Sequence, residues 1–256
     1  MSKNNLDFTV KKYYDLCKVI KQYNYSTLTF KDYLIKNVTQ QRTIILRHDI
    51  DRKPLNALAL AKIENEFDIQ STYYFRYNKH VFQPEIIRKI KDMGHEIGYH
   101  YEVLSKSNGN YKKAIDIFQN ELNEFRNYYD VKTICMHGSP ISKYDNRDIW
   151  KIYNFKDYGI IGEAYLSVNE NLSYFSDTGR SWNWKNKIRD FVPGKIEKYN
   201  INTTDELINL IKSDVISQFY ILVHPERWAL DNIGWVSGYI MDLAVNAGKK
   251  FIISVR

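Results

Sequence analysis

Cysteine is almost absent from the 256-residue sequence: Cys17 and Cys135 are its only two. They stand far apart and form no metal-spacing motif, which excludes a cysteine-built zinc module. Cys135 falls inside an apolar run and reads as a small buried residue. Long apolar runs are missing too. None approaches the roughly 20 residues that a membrane helix needs, and the first seven residues lack the apolar stretch of a signal peptide. The expectation is a soluble, cytoplasmic protein with no membrane span. Basic residues are in excess, with a net charge of +7, yet there is no dense Lys/Arg block. A nucleic-acid reader concentrates its basic residues on one face or helix. The excess therefore points away from nucleic acid and toward an anionic, phosphorylated small molecule. Internal repeats, low-complexity tracts and Pro/Gly/Ser-rich linkers are also lacking.

What is present supports a sizeable core. Hydrophobic residues make up 44%, too many for a disordered chain. The length fits one large α/β barrel or two small domains. Aromatic residues reach 15%, with 21 tyrosines, a supply suited to core edges and to clefts that take a carbohydrate-like ligand.

From residue 43 onward, short β-type runs alternate with helical patterns. Strands are expected near 43–50, 71–77, 95–100, 132–136, 159–166, 172–175, 219–223 and 251–255. Helices are expected near 54–67, 84–93, 110–128, 204–213 and 234–247, with a short one near 145–152. Alternation repeated this often means a parallel sheet or barrel. Residues 1–42 carry two helical patterns, near 8–22 and 29–35, and read as an N-terminal helical extension packed on a domain spanning 43–256.

The stretch Thr43-Ile44-Ile45-Leu46-Arg47-His48-Asp49-Ile50-Asp51-Arg52-Lys53-Pro54 organises the rest. Its apolar half reads as a strand buried on both faces, and Pro54 suits the first turn of a helix. The polar cluster thus falls at the carboxyl end of a buried strand, where α/β folds build active sites. Asp49 and Asp51 are two apart and point to one side of an extended chain. Such a pair binds a cation or pushes one pKa upward. It is equally readable as a helix cap with a surface ion pair to Arg47, Arg52 or Lys53. Four of the six histidines, His48, His100, His137 and His224, fall at expected strand ends. Imidazole is both the commonest metal ligand and the commonest general acid or base. His95 precedes its strand and reads as a packing or hydrogen-bonding residue.

The series Arg47-His48-Asp49-Ile50-Asp51, Gly94-His95-Glu96-Ile97-Gly98-Tyr99-His100, Met136-His137-Gly138-Ser139-Pro140 and Ile221-Leu222-Val223-His224-Pro225 resembles the polysaccharide deacetylase (NodB-homology, carbohydrate esterase family 4) superfamily. Within it, the likeness is to the branch found among surface-polysaccharide biosynthesis proteins. The resemblance covers about residues 43–256. It implies an α/β fold, an irregular (β/α) barrel, and metal-dependent hydrolysis of an N-acyl group on a sugar. It also implies that Asp49 is the catalytic base, that Asp51 and His100 are metal ligands, and that His224 is the catalytic acid. The divalent metal is expected to be zinc, with manganese or cobalt as alternatives.

Two departures stand out. The resembled family places a second ligand histidine four residues after the first, where this chain has Leu104. Its Arg-Pro-containing third motif is replaced by His137-Gly138-Ser139-Pro140. A third donor must then come from His137, Glu102 or His48, unless the metal is lost. His137 is favoured because it closes a buried strand and imidazole suits zinc-like metals. His48 alternates away from the Asp49/Asp51 face. For substrate binding, Arg180, in a basic and aromatic segment reaching Lys198, and Arg227 and Trp228, beside His224, are the expected contacts. The expected substrate is an anionic small-molecule or lipid-linked amino sugar that loses an acetyl or formyl group during surface-glycan assembly. The rivals are hydrolysis of another C–N bond and a silent barrel that binds sugar nucleotides or partner enzymes. The sequence leaves the oligomeric state open.

Overall fold

Strand β2, Thr43–Ile50, is buried at all eight positions, as a strand covered on both faces must be. The computed structural model, which describes residues 6–36, 42–138, 142–169, 171–183, 190–192 and 199–255, sets every other strand around it. These are β1 Ser26–Leu28, β3 Thr72–Phe75, β4 Glu96–Tyr101, β5 Thr133–Met136, β6 Gly162–Glu163, β7 Ser173–Ser176 and β8 Gln218–Val223. The order is β6-β5-β4-β3-β2-β8-β7, and every pairing is parallel. The sheet curls until its two edges face each other: the rings of Tyr165, just past β6, and Tyr174 on β7 are 6.4 Å apart. The fold is therefore an irregular, incompletely closed (β/α) barrel.

Parallel strands need crossover connections, and helices supply most of them. These are α3 Pro54–Glu66, α4 Pro84–Asp92, α6 Tyr111–Arg126 and α7 Thr204–Lys212, with the one-turn helix α5 Val103–Lys106 before α6. Pro54 and Pro84 each sit in a first turn, where a missing N–H costs nothing. A capping box closes the start of α7: Thr203 accepts from the Glu206 amide and Glu206 reaches back. Lys53, in the left-handed region at φ 52°, turns the chain from β2 into α3. This leaves Asp51 at the barrel mouth.

Residues 6–36 are tied into the same body. Between α1 Val10–Gln22 and α2 Phe30–Lys36 lies β1, not expected from the sequence, which pairs Ser26–Leu28 with Thr43–Ile45. On α1, Tyr13, Leu16, Cys17, Val19 and Ile20 are buried in one apolar cluster with residues of α3, α7 and β8. The closing strand expected at Phe251–Val255 is absent. Those residues continue α8, Asn232–Val255, so β8 ends the strand series in chain order. The strand expected over 159–166 is reduced to the two residues of β6, and that over 71–77 to the four of β3. Glycine is required at Gly98, where a Cβ would lie 2.3 Å from the ring of Tyr74, a side chain that crosses the barrel interior at that level.

Candidate active site at the carboxyl ends of the strands

Strand ends fix the position of each donor at the mouth. Asp51 follows β2, His100 is on β4 and His137 follows β5, its amide held by the Tyr101 carbonyl at 2.7 Å. Asp51 Oδ1 lies 3.3 Å from His100 Nε2 and 2.8 Å from His137 Nδ1. The two imidazoles approach each other to 3.3 Å through the same nitrogens. His100 Nδ1 lies 3.0 Å from the Cys135 carbonyl. A carbonyl only accepts, so Nδ1 carries the proton and the Nε2 lone pair faces Asp51 and His137. Asp51 Oδ1 is buried yet makes no hydrogen bond of acceptable geometry. Three donors converging on one point around an orphaned oxygen are what a bound cation needs. For two nitrogen or oxygen ligands on a tetrahedral metal with bonds of about 2.0 Å, the donor–donor edge is about 3.3 Å. Two of the three edges have that length, and the third must open by about half an ångström. The residues present fit a divalent metal. Burial disfavours the Asp51 carboxylate, but His137 and His100 outweigh it and hold Asp51 well below the usual carboxylate range.

One pleat deeper, Asp49 is 2% exposed. Arg47 NH2 is 3.4 Å from Asp49 Oδ2. The Arg47 guanidinium lies inside the barrel, 4.1 Å from the Tyr165 ring centroid and bonded to the Tyr220 hydroxyl at 2.9 Å. The buried Asp49 carboxylate is thus paired with a buried guanidinium. On the inner side, Cys135 Sγ lies 3.4 and 3.6 Å from the two Asp49 oxygens.

His224 is held by a group the sequence reading missed. Asp177, fully buried just past β7, accepts from four donors. These are His224 Nδ1 at 2.6 Å, the His224 amide at 2.9 Å, Arg227 NH1 at 3.0 Å and Trp228 Nε1 at 2.9 Å. His224 Nδ1 therefore carries a proton, and the other ring nitrogen is left for the mouth. Burial and Arg227 oppose the imidazolium. Asp177, aided by Glu226, outweighs them and raises the His224 pKa above its ordinary value. Glu226 is also new. Both its oxygens are buried without a hydrogen-bond partner, and burial with the nearby Asp51 charge pushes its carboxyl up to about 7. Its nearest cation is Arg52, at 3.7 Å. Asp177 carried a readable signal: like Asp49, it is an acid just after an apolar strand run.

The other expected residues lie elsewhere. Glu102 is locked to Arg76 NH2 at 2.7 and 2.8 Å and does not join the cluster of Asp51, His100 and His137. His48 faces the opposite side of β2, 2.7 Å from Glu64 Oε1 and stacked on Tyr73 at 4.2 Å. That buried carboxylate also accepts from Tyr13, Tyr73 and Ser71, with His95 beside Ser71. Leu104 is in the apolar core. The structure gives Arg180, Arg227 and Trp228, the expected substrate contacts, the following surroundings. Arg180 Nε binds Asp242 on α8 at 2.9 Å, Arg227 binds Asp177, and Trp228 has no exposed surface. Arg180 NH1 and NH2 and Arg227 Nε are buried without a hydrogen-bond partner. Ser139, Pro140 and, within the Arg180–Lys198 segment, residues 184–189 and 193–198 lie outside the described residues.

No protein-family model matches this chain, and no curated protein matches it in sequence. Its fold is similar to that of the Streptococcus pyogenes deacetylase PplD solved with acetate: 14% identity, TM-score 0.42, covering 63% of this chain and 84% of that one. A family 4 carbohydrate esterase from Streptomyces lividans, also solved with acetate, shows 13% identity and a TM-score of 0.41 over 78% of this chain and 87% of that one. A family 4 carbohydrate esterase from Bacillus anthracis shows 13% identity and a TM-score of 0.38 over 86% of each chain.

Proposed function

We propose that this chain is a metal-dependent hydrolase that removes an acetyl or formyl group from the nitrogen of an amino sugar. The observation that carries the reading is the convergence of Asp51, His100 and His137 around one point, with a paired base and a paired acid as neighbours. A divalent cation held by these three would polarise the acyl carbonyl and make water a nucleophile near neutral pH. Asp49, paired with Arg47, takes the proton that the attacking water gives up. His224, kept protonated by Asp177, returns a proton to the amine as the C–N bond breaks. The two roles require opposite protonation states at one pH, and the buried Asp177 pushes His224 toward the protonated state that its role needs. Zinc suits two imidazoles and one carboxylate, as do manganese and cobalt.

The setting is read more finely from the motif resemblance: a cytoplasmic step in surface-glycan assembly, on an anionic small-molecule or lipid-linked sugar. The test is a screen of N-acetylated and N-formylated amino sugars and nucleotide sugars, with acetate and formate measured after incubation with zinc-, manganese- or cobalt-loaded protein. Release that stops on chelation and returns with metal supports the reading. Loaded protein that releases neither acid from any of them removes it.

A further inference from the structure

Shifting the mouth cluster back by two residues along two strands gives a second donor set. On β2 the step runs from Asp51 to Asp49, and past β5 it runs from His137 to Cys135. Two residues keep the same face. His100, on β4 between them, is the Cα partner of Cys135 in the sheet register. The ligand atoms of Asp49, His100 and Cys135 all lie within 4.8 Å of one another. Cys135 is a free thiol. Its 3.4 and 3.6 Å separations from the Asp49 oxygens bracket the edge of about 3.5 Å expected for sulfur and oxygen on one tetrahedral zinc, with bonds of about 2.3 and 2.0 Å. That edge needs no rearrangement. His100 belongs to both sets, and the single lone pair of a neutral imidazole binds one metal at a time.

We infer that the barrel offers two mutually exclusive metal positions sharing His100. The mouth position, Asp51–His100–His137, supports catalysis, and the deeper one, Asp49–His100–Cys135, is taken by thiophilic cations and switches the enzyme off. The inference rests on the metal-dependent reading above. Sulfur decides the preference: manganese favours oxygen and nitrogen donors, whereas cadmium, and zinc in excess, gain from a thiolate. Coordination at the deep position releases the Cys135 thiol proton to solvent, and no electron is transferred. It also places the Asp49 lone pair on the metal, so the base no longer accepts a proton from water. Two negative ligands face the cation there, with Arg47 beside them. The mouth supplies one negative ligand and two neutral ones.

The experiment is a titration of chelator-treated protein with cadmium, cobalt and manganese, followed through the near-ultraviolet thiolate-to-metal charge-transfer absorption. Cadmium and cobalt in excess should each give a band saturating at one metal per chain, and manganese should give none. The band should survive Asp51→Asn and Cys17→Ser and vanish in Cys135→Ser and Cys135→Ala, with cadmium affinity falling about tenfold or more. Acyl release by manganese-loaded protein should fall as the cadmium band grows. Cadmium retained on dialysis by the wild type without a band would overturn the inference and leave the metal-dependent reading standing. A band that persists without Cys135 also overturns it. Protein that retains none of these metals removes both.

Discussion

Asp177→Asn keeps the size of the side chain and removes its charge, which isolates what that charge does for His224. The buried carboxylate faces two donors at each oxygen: His224 Nδ1 and Arg227 NH1 at Oδ1, and the His224 amide and Trp228 Nε1 at Oδ2. An amide presents its own N–H groups on one side, so two donors lose their acceptor whichever way it is flipped. Each buried donor left unpaired costs about 1–3 kcal/mol. Stranding one partner of a buried ion pair, here Arg227, costs about 3–5 kcal/mol. These contributions overlap, and the expected loss is about 3–5 kcal/mol by urea unfolding at pH 6.

The pH dependence carries a sign. The folded-state pKa of His224 is raised above the ordinary histidine value of 6.5. Its contribution is fully present below the unfolded value and is lost as pH rises through the folded one. Wild-type protein should lose this contribution above neutrality, and Asp177→Asn should not. In the variant, burial and Arg227 remain to depress the imidazolium. The alkaline limb of kcat/KM, where the acid loses its proton, should therefore move to lower pH. The His224 ring resonances followed by NMR should titrate lower in step. A variant within about 1 kcal/mol of wild type, with an unmoved alkaline limb, would refute the reasoning.

Asp49→Asn should keep the fold and the metal content while lowering turnover by about 10²-fold or more; an unchanged rate removes Asp49 as the base. Metal content after dialysis should fall in His137→Ala and stay near wild type in Glu102→Ala and His48→Ala, and the reverse order would move the third donor to Glu102. Glu64→Gln should cost about 3 kcal/mol at pH 7, since burial is outweighed by His48 and His95 and the carboxyl is lowered from 4.5 to about 2. This depressed carboxylate stabilises above its unfolded value, so the difference between Glu64→Gln and wild type in urea should close as pH falls from about 4.5 toward 2.

The alternation of strands and helices was legible because parallel barrels write buried strands as apolar runs, and the two-residue period placed Asp49 and Asp51 on one side. What escaped the sequence has physical causes. Strand β1 is three residues long, too short for any period to register, and it owes its state to pairing with β2. Residues 251–255 have an apolar, β-branched content that reads as strand, but they continue α8, where tertiary context overrides propensity. Asp177 was legible as an acid after a strand run, but its role was not, because that depends on β7 lying beside β8, a pairing that no local pattern reveals. The pairing of Arg180 with Asp242 and of Arg227 with Asp177 was likewise out of reach, because each partner is brought up by tertiary packing.

On the proposed metal-dependent reading, Leu104 stands where one donor is changed and the frame is kept. It lies on the single turn of α5 and is 1% exposed in the core, where a fully buried leucine contributes about 1.5–3 kcal/mol. A carbon side chain cannot coordinate, so a donor lost from that turn has to return from a position held at least as firmly. His137 meets that condition: its amide donates to the Tyr101 carbonyl and its own carbonyl accepts from Asn146 at 2.8 Å. Both anchors are backbone groups of His137, so its imidazole can serve a metal without being needed for the fold. His48 and His95 are in the opposite situation, since their side chains sit against the buried Glu64 carboxylate and cannot be spared. The division between spendable and committed histidines follows strand alternation, with the barrel interior on one face of β2 and the helical layer on the other.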